Sequence, residues 1–328
     1  MKSKFLFCLL TTVLLTIASV VDAQQLGKIF RIGFLDNSTA SSMANLVDVF
    51  RQEMSKLGWL EGKNITIDYR FAEQKNERLT ELAADLVRLK VDLIVATGGT
   101  PASFAKKATS SIPIVVTNSG DPVGEGLVAS LARPGGNVTG FSSLAVELNT
   151  KRLEILKDAV PKLLRVGLHW SVGGVSLQPQ LKALRAAAMA LKLELVEIET
   201  QLDTAGLESA FQTAKKKKVG AIMTTTNRPF FAERKRIVDH AIKYQLPAIY
   251  FQKEFVDEGG LMSYGVDYVD LYHKAAQYVD KILKGTKPTD LPVQQATKFE
   301  FVINLKAAKQ IGHTIPYELL ARANQVIK

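Results

Sequence analysis

VDLIVAT (91–97) and IPIVVT (112–117) are short, unbroken apolar runs rich in β-branched residues. A strand with one wet face alternates polar and apolar residues, whereas an unbroken run marks a strand covered on both faces, as in a parallel sheet between helices. Upstream, RIGFL (31–35) is a similar run, followed by Val47, Phe50, Met54 and Leu57 at helical spacing. NITIDYR (64–70) then alternates Ile65, Ile67 and Tyr69 as a strand does, and Leu79, Leu82, Leu86 and Leu89 form the next helical stripe. Downstream the alternation resumes with RVGLHW (165–170), a helix carrying Leu181, Leu184 and Leu191, LELVEIE (193–199), a helix near 205–216, VGAIMTT (219–225), a helix near 230–243, and LPAIYF (246–251). Strands and helices in turn mean βαβ units. Two blocks of them predict an α/β protein of two doubly wound parallel-sheet lobes.

Between the blocks lies SGDPVGEGLVASLARPGGNVTG (119–140). Asp121, Pro122 and Gly124 end the loop after the fourth strand, and LVASLA (127–132) predicts a short amphipathic helix. Pro134, Gly135, Gly136 and Asn137 predict a tight reversal, with both glycines free to take a positive φ. A phosphate cradle would need a glycine-rich turn opening into a long helix, with Gly-x-Gly-x-x-Gly or Lys-Ser/Thr spacing. Neither spacing occurs, so the stretch is read as a joint.

The chain has 328 residues, 47% hydrophobic and 23% charged, the balance of a soluble globular protein with room for two cores. It opens with Lys2 and Lys4, an apolar run, and Val21 and Ala23 at cleavage spacing. This pattern predicts a signal peptide over residues 1–23. Cys8, the sole cysteine, lies inside that run, so the exported chain is expected to have no disulfide, thiolate nucleophile or cysteine metal site. Losing Lys2, Lys4 and Asp22 lowers the formal charge from +10 to +9. The basic residues are spread along the chain, and the one run, Lys215 to Lys218, ends a helix candidate, where cations suit the helix dipole. No nucleic-acid partner is therefore expected. His169, His240, His273 and His313 are dispersed without zinc spacing, and no nucleophile elbow occurs. No metal, cofactor or catalytic residue is expected.

In open α/β sheets, ligands bind beyond the carboxyl ends of the strands. In the first block this rule selects Asp36, Asn37, Ser38 and Thr39, then Thr97, Gly99 and Thr100, then Asn118 and Asp121. Helix N-termini just beyond them would hold a ligand carboxylate without a dedicated arginine. In the second block it selects His169, Trp170 and Ser171, then Thr225, Thr226 and Asn227, the pair Gln252 and Glu254, and Tyr264 and Asp267 near the second crossing. Each has a structural reading beside the functional one. A tryptophan at a strand end packs, serines and threonines cap helices, and an aspartate before Pro122 makes a turn.

DPVGEGLVASLARPGGNVTG resembles the signature of ABC-transporter substrate-binding proteins, a family that includes tryptophan- and phenylalanine-type amino-acid binders. The resemblance runs from RIGFLD (31–36) through LGWLEGKNITIDYRFAE (57–73), VDLIVATGGTPAS (91–103) and IPIVVTNSGDPVG (112–124) to the last segment, residues 291–328. It implies a type I periplasmic binding fold, with lobes joined by three chain crossings: after NVTGF (137–141), near SYGVDY (263–268) and near TDLPV (289–293). The lobes would comprise 24–143 plus 267–290 and 144–266 plus 291–328. The resemblance also implies a monomeric periplasmic protein that captures a small polar solute, an amino acid or similar small carboxylate, for an ABC permease in the inner membrane. A periplasmic ligand-sensing receptor subunit and an exported enzyme remain as alternatives.

Overall fold

The computed structural model describes residues 28–171 and 177–328, so the expected signal segment and Cys8 lie outside the described residues. The chain first builds β1 (Phe30–Asp36), α1 (Ala40–Lys56), β2 (Ile65–Phe71), α2 (Leu79–Arg88), β3 (Leu93–Ala96), α3 (Gly99–Ala108), β4 (Ile114–Ser119) and β5 (Val138–Ser142). It continues with α4 (Ala145–Ala159), β6 (Arg165–Trp170), α5 (Leu177–Ala190), β7 (Glu194–Glu199), α6 (Thr204–Lys216), β8 (Ala221–Thr224), α7 (Arg228–Ala232), α8 (Arg234–Lys243), β9 (Ala248–Tyr250), α9 (Glu254–Asp257) and β10 (Met262–Val266). Last come α10 (Tyr268–Leu283), β11 (Gln294–Gln295), β12 (Phe299–Asn304), α11 (Leu305–Gln310), α12 (Tyr317–Leu320) and β13 (Gln325–Ile327).

Two sheets result, ordered β11-β5-β4-β3-β1-β2 and β13-β12-β10-β9-β8-β6-β7. Both reverse direction beside their first strand, giving one switch point between β1 and β3 and another between β6 and β8. Successive side chains of a strand face opposite layers. Phe34 accordingly packs with Phe50 of α1, while Leu35 packs with Ala83 and Leu86 of α2 and Ala102 of α3. In the second sheet Met223 and Ile222 divide in the same way between two apolar clusters. The second sheet is not wholly parallel, because β12 runs antiparallel to β10.

The chain changes lobes at three adjacent places. After β5 it turns through Ser143 and Leu144, the latter at φ 53, into α4, whose Leu153 and Leu156 join the second-lobe core. After β10 it passes Asp267 into α10, whose Leu271, Tyr272 and Val279 pack with Phe34 and Phe50. Trp59 Nε1 ties this helix down by donating to Asp280 Oδ1 at 2.8 Å. The last crossing comes later than 289–293. β11 pairs with β5, and Ala296 N still donates to the Ser142 carbonyl at 2.9 Å, so the first lobe keeps the chain to that point. Asp267 N then donates to the Lys298 carbonyl at 3.0 Å, linking the second and third crossings.

The helix expected over 127–132 does not form. Six residues do not repay helix nucleation, and the amides bond elsewhere: Leu127 N to the Pro122 carbonyl and Ala129 N to the Pro134 carbonyl. Of the expected pair of reversal glycines, Gly135 takes φ 78 and Gly136 stays out of the positive region. The position that cannot carry a side chain is Gly140 in β5, where φ is 137 and an added Cβ would lie 2.1 Å from the Val116 carbonyl oxygen. Gly140→Ala is therefore expected to lower the urea-unfolding free energy by at least about 2 kcal/mol, and Gly136→Ala, with open space around it, by less than about 0.5 kcal/mol. Equal values for the two variants would contradict this account of the joint.

Candidate functional site

The two switch points face each other across a cleft that encloses a cavity of about 80 Å³, room for roughly five to eight waters. Asn37, Thr97, Gly99, Thr100 and Asn118 line it from the first lobe, and Thr226, Asn227, Arg228 and Gln252 from the second. Tyr268, at the start of α10, and Phe251 add aromatic surface.

The first-lobe wall is braced from behind. Asp36 is fully buried and off the cleft; its carboxylate accepts from Ser38 N at 2.5 Å, Ser38 Oγ at 2.7 Å and Thr97 Oγ1. It holds the β1 and β3 loops together rather than presenting itself. Thr39 caps α1, accepting from Ser42 N at 3.3 Å. Asp121 also serves the backbone, its Oδ1 accepting from Gly124 N at 2.9 Å. The acidic group that does line the cleft is Glu125, which accepts from Ser119 Oγ at 2.6 Å and Asp121 N at 3.1 Å. Burial pushes its carboxyl above the ordinary range. Gly99 makes room for it, since a Cβ there would lie 1.9 Å from Glu125 Oε2.

In the second lobe a buried network fixes Thr226. Arg152 donates from Nη2 to Thr226 Oγ1 at 2.7 Å and Asn149 Oδ1 at 2.5 Å, and from Nη1 to the Tyr264 carbonyl at 2.8 Å. Burial with no carboxylate partner lowers the Arg152 pKa to about 10. Gln180 Oε1 accepts from Thr226 N at 2.8 Å. Asn227 caps α7, accepting from Phe230 N at 2.9 Å, and donates to Ser171 Oγ at 3.1 Å. Trp170 packs against the second-lobe core and Tyr264 against the cores of both lobes instead of lining the cleft, and Asp267 caps α10, accepting from Asp270 N at 3.0 Å.

Arg228 is the residue that the sequence reading did not foresee, having asked for no arginine. It is the first residue of α7 and is 9% exposed. Nη2 donates to Asn118 Oδ1 at 3.3 Å and to Tyr272 Oη at 3.4 Å, both in the first lobe. At a helix start, arginine reads as a solvated side chain, and only the pairing of the two switch points buries it. Tyr268 and Glu125 were hidden in the same way, beside the selected Asp267 and Asp121.

Two doubly wound lobes around a polar cleft define a binding protein of the type I periplasmic fold, which is also the fold of the dimeric Lac repressor, at TM-score 0.59 and 10% identity over 83% of this chain and 96% of that one. The chain belongs to the ABC transporter substrate binding protein family, matched over residues 37–327. A tyrosine-binding protein of Clostridioides difficile (strain R20291) is 29% identical over 263 residues, 80% of this chain and 75% of that protein. A conserved domain protein from Vibrio cholerae O1 biovar El Tor superposes with TM-score 0.84 at 29% identity, over 91% of this chain and all of that one. An ABC domain from Streptococcus pneumonia in complex with L-Trp gives 0.82 at 26%, over 92% and 100%. The family is one of solute-binding components and not of enzymes.

His169, selected with Trp170 at the end of β6, belongs to the core instead of the cleft lining. It is 2% exposed, its ring centre lies 4.9 Å from that of Phe211, and burial lowers its pKa to about 4 from 6.5. The unfolded chain takes up this proton at higher pH than the folded one, so the contribution is full above pH 6.5 and is lost as pH falls from 6.5 to about 4. The loss amounts to roughly 3 kcal/mol. Urea unfolding at pH 7.5 and 4.5 should show a larger acid loss in the wild type than in His169→Leu. Parallel losses would contradict the assignment.

Proposed function

We propose that the protein is the periplasmic solute-binding component of an ABC importer, taking an amino acid or similar small carboxylate between its lobes, with aromatic amino acids as first candidates. One observation carries this reading. Three cleft-lining residues from both lobes hold buried polar atoms for which the protein supplies no partner: Asn37 Oδ1, Arg228 Nε and Nη1, and Gln252 Nε2. Buried polar groups are nearly always paired, and each orphan costs about 1–3 kcal/mol. Other such atoms lie away from the cleft, as in Tyr69, His169 and Tyr250, but these four set an acceptor on one wall and donors on the other, which suits a zwitterion. Glu125 offers a carboxylate to its ammonium, and Phe251 and Tyr268 offer apolar surface to a ring. The relatives that take tyrosine and L-Trp support the same class of solute. Export follows from the leader pattern of residues 1–23, and no helix among the described residues is long and apolar enough to cross a membrane.

Thermal-shift screening of amino acids and small carboxylates, with native mass spectrometry of the purified protein, tests this reading. An aromatic amino acid should raise Tm, because it binds only the folded state, and should be recovered unchanged. Glu125→Gln is expected to weaken binding at least tenfold, about 1.4 kcal/mol, and Asp121→Ala by less than about threefold, since its carboxylate serves a turn. A screen without a stabiliser, or a best hit that is consumed, would reject the proposal.

A further inference from the structure

We propose that Arg228 is the latch through which a carboxylate on the solute closes the two lobes, an inference that rests on the amino-acid reading of the cleft. Arg228 is anchored in the second lobe, between the α7 cap Asn227 and Pro229. Its guanidinium ends inside the first lobe, bonded to Asn118 Oδ1 and Tyr272 Oη, with its centre 5.6 Å from that of the Tyr268 ring. Both bonds run from one lobe to the other, so opening the cleft must break them. Every group that touches the cation there is neutral. Asp36 acts on it only through space, since its oxygens accept from Ser38 and Thr97. Glu254, the other nearby acid, lies off the cleft lining.

Closure on a neutral solute therefore leaves this cation with only neutral groups in contact, Asp36 and Glu254 acting through space, and two donors idle. Closure on a carboxylate pairs that cation by charge-assisted bonds, which an arginine fork makes two at a time. A ligand shifts an opening equilibrium only by what it gains in one state over the other, and at Arg228 that gain belongs to the carboxylate. Lysine keeps the charge but cannot hold Asn118 and Tyr272 while also offering paired N–H groups.

Calorimetric titration of the wild type, Arg228→Gln and Arg228→Lys with L-tyrosine and with tyramine, which lacks only the carboxylate, separates the possibilities. Small-angle scattering with and without each ligand reports closure, and circular dichroism checks that the variants fold. The wild type is expected to bind L-tyrosine at least 100-fold tighter than tyramine and to contract only with L-tyrosine. Arg228→Gln should bind the two alike, and Arg228→Lys should recover no more than a tenth of the preference. If folded Arg228→Gln keeps the full preference, or if the wild type binds both ligands equally, the latch is overturned and the cleft reading stands. If the wild type binds neither and native mass spectrometry finds a cleft solute without a carboxylate, both are overturned.

Discussion

A guanidinium carried by one lobe and buried in the other is the constraint on which the rest of this structure turns. Arg228 reaches Asn118 and Tyr272 only when the lobes meet, and in that position it is 9% exposed with Nε and Nη1 unused. A buried charge without compensation costs several kcal/mol, and here Asp36 and Glu254 offset part of that through space. The protein's own neighbours, two tyrosines and an asparagine, recover part of that through hydrogen bonds and the ring face. On the latch proposal, the arrangement in which the lobes meet is completed by a solute that brings negative charge.

Such a device works only if the lobes are stiff and the joint between them yields. Stiffness comes from the two sheets, each covered on both faces, and from polar braces set behind the walls. Asp36 ties the β1 loop to the β3 loop, while Arg152, Asn149 and Gln180 fix Thr226. The joint is three short crossings held together by single backbone bonds, such as those from Ala296 to Ser142 and from Asp267 to Lys298. Rotation about crossings of this kind changes a few dihedral angles and leaves both cores intact.

The fold was legible because its signal is local. Runs such as VDLIVAT and IPIVVT announce doubly covered strands, and the switch-point rule then selects loops without knowledge of any contact. It brought Asn37, Thr97, Gly99, Thr100, Asn118, Thr226 and Asn227 to one cleft. It went astray where a residue's role is set by partners distant in sequence. Asp36, Thr39 and Asp267 are polar residues at strand ends, as ligand contacts would be, but their side chains brace a loop or cap a helix. Arg228 was invisible for the converse reason: its partners lie 110 and 44 residues away, and nothing at a helix start marks an arginine for burial. The third crossing was placed too early because two paired residues, Gln294 and Gln295, leave no periodicity to read.

The most direct test of ligand-driven closure is an interlobe distance. Lys75 and Lys253 are exposed neighbours of Asn76 and Gln252, on opposite sides of the cleft, and the only native cysteine, Cys8, falls within the expected leader. Spin labels on Lys75→Cys and Lys253→Cys, measured by double electron–electron resonance, should show a broad, longer distance distribution without solute. Saturating aromatic amino acid should convert it to one narrower, shorter population. Superimposable distributions with and without a bound solute would contradict the claim that the solute completes the closed state.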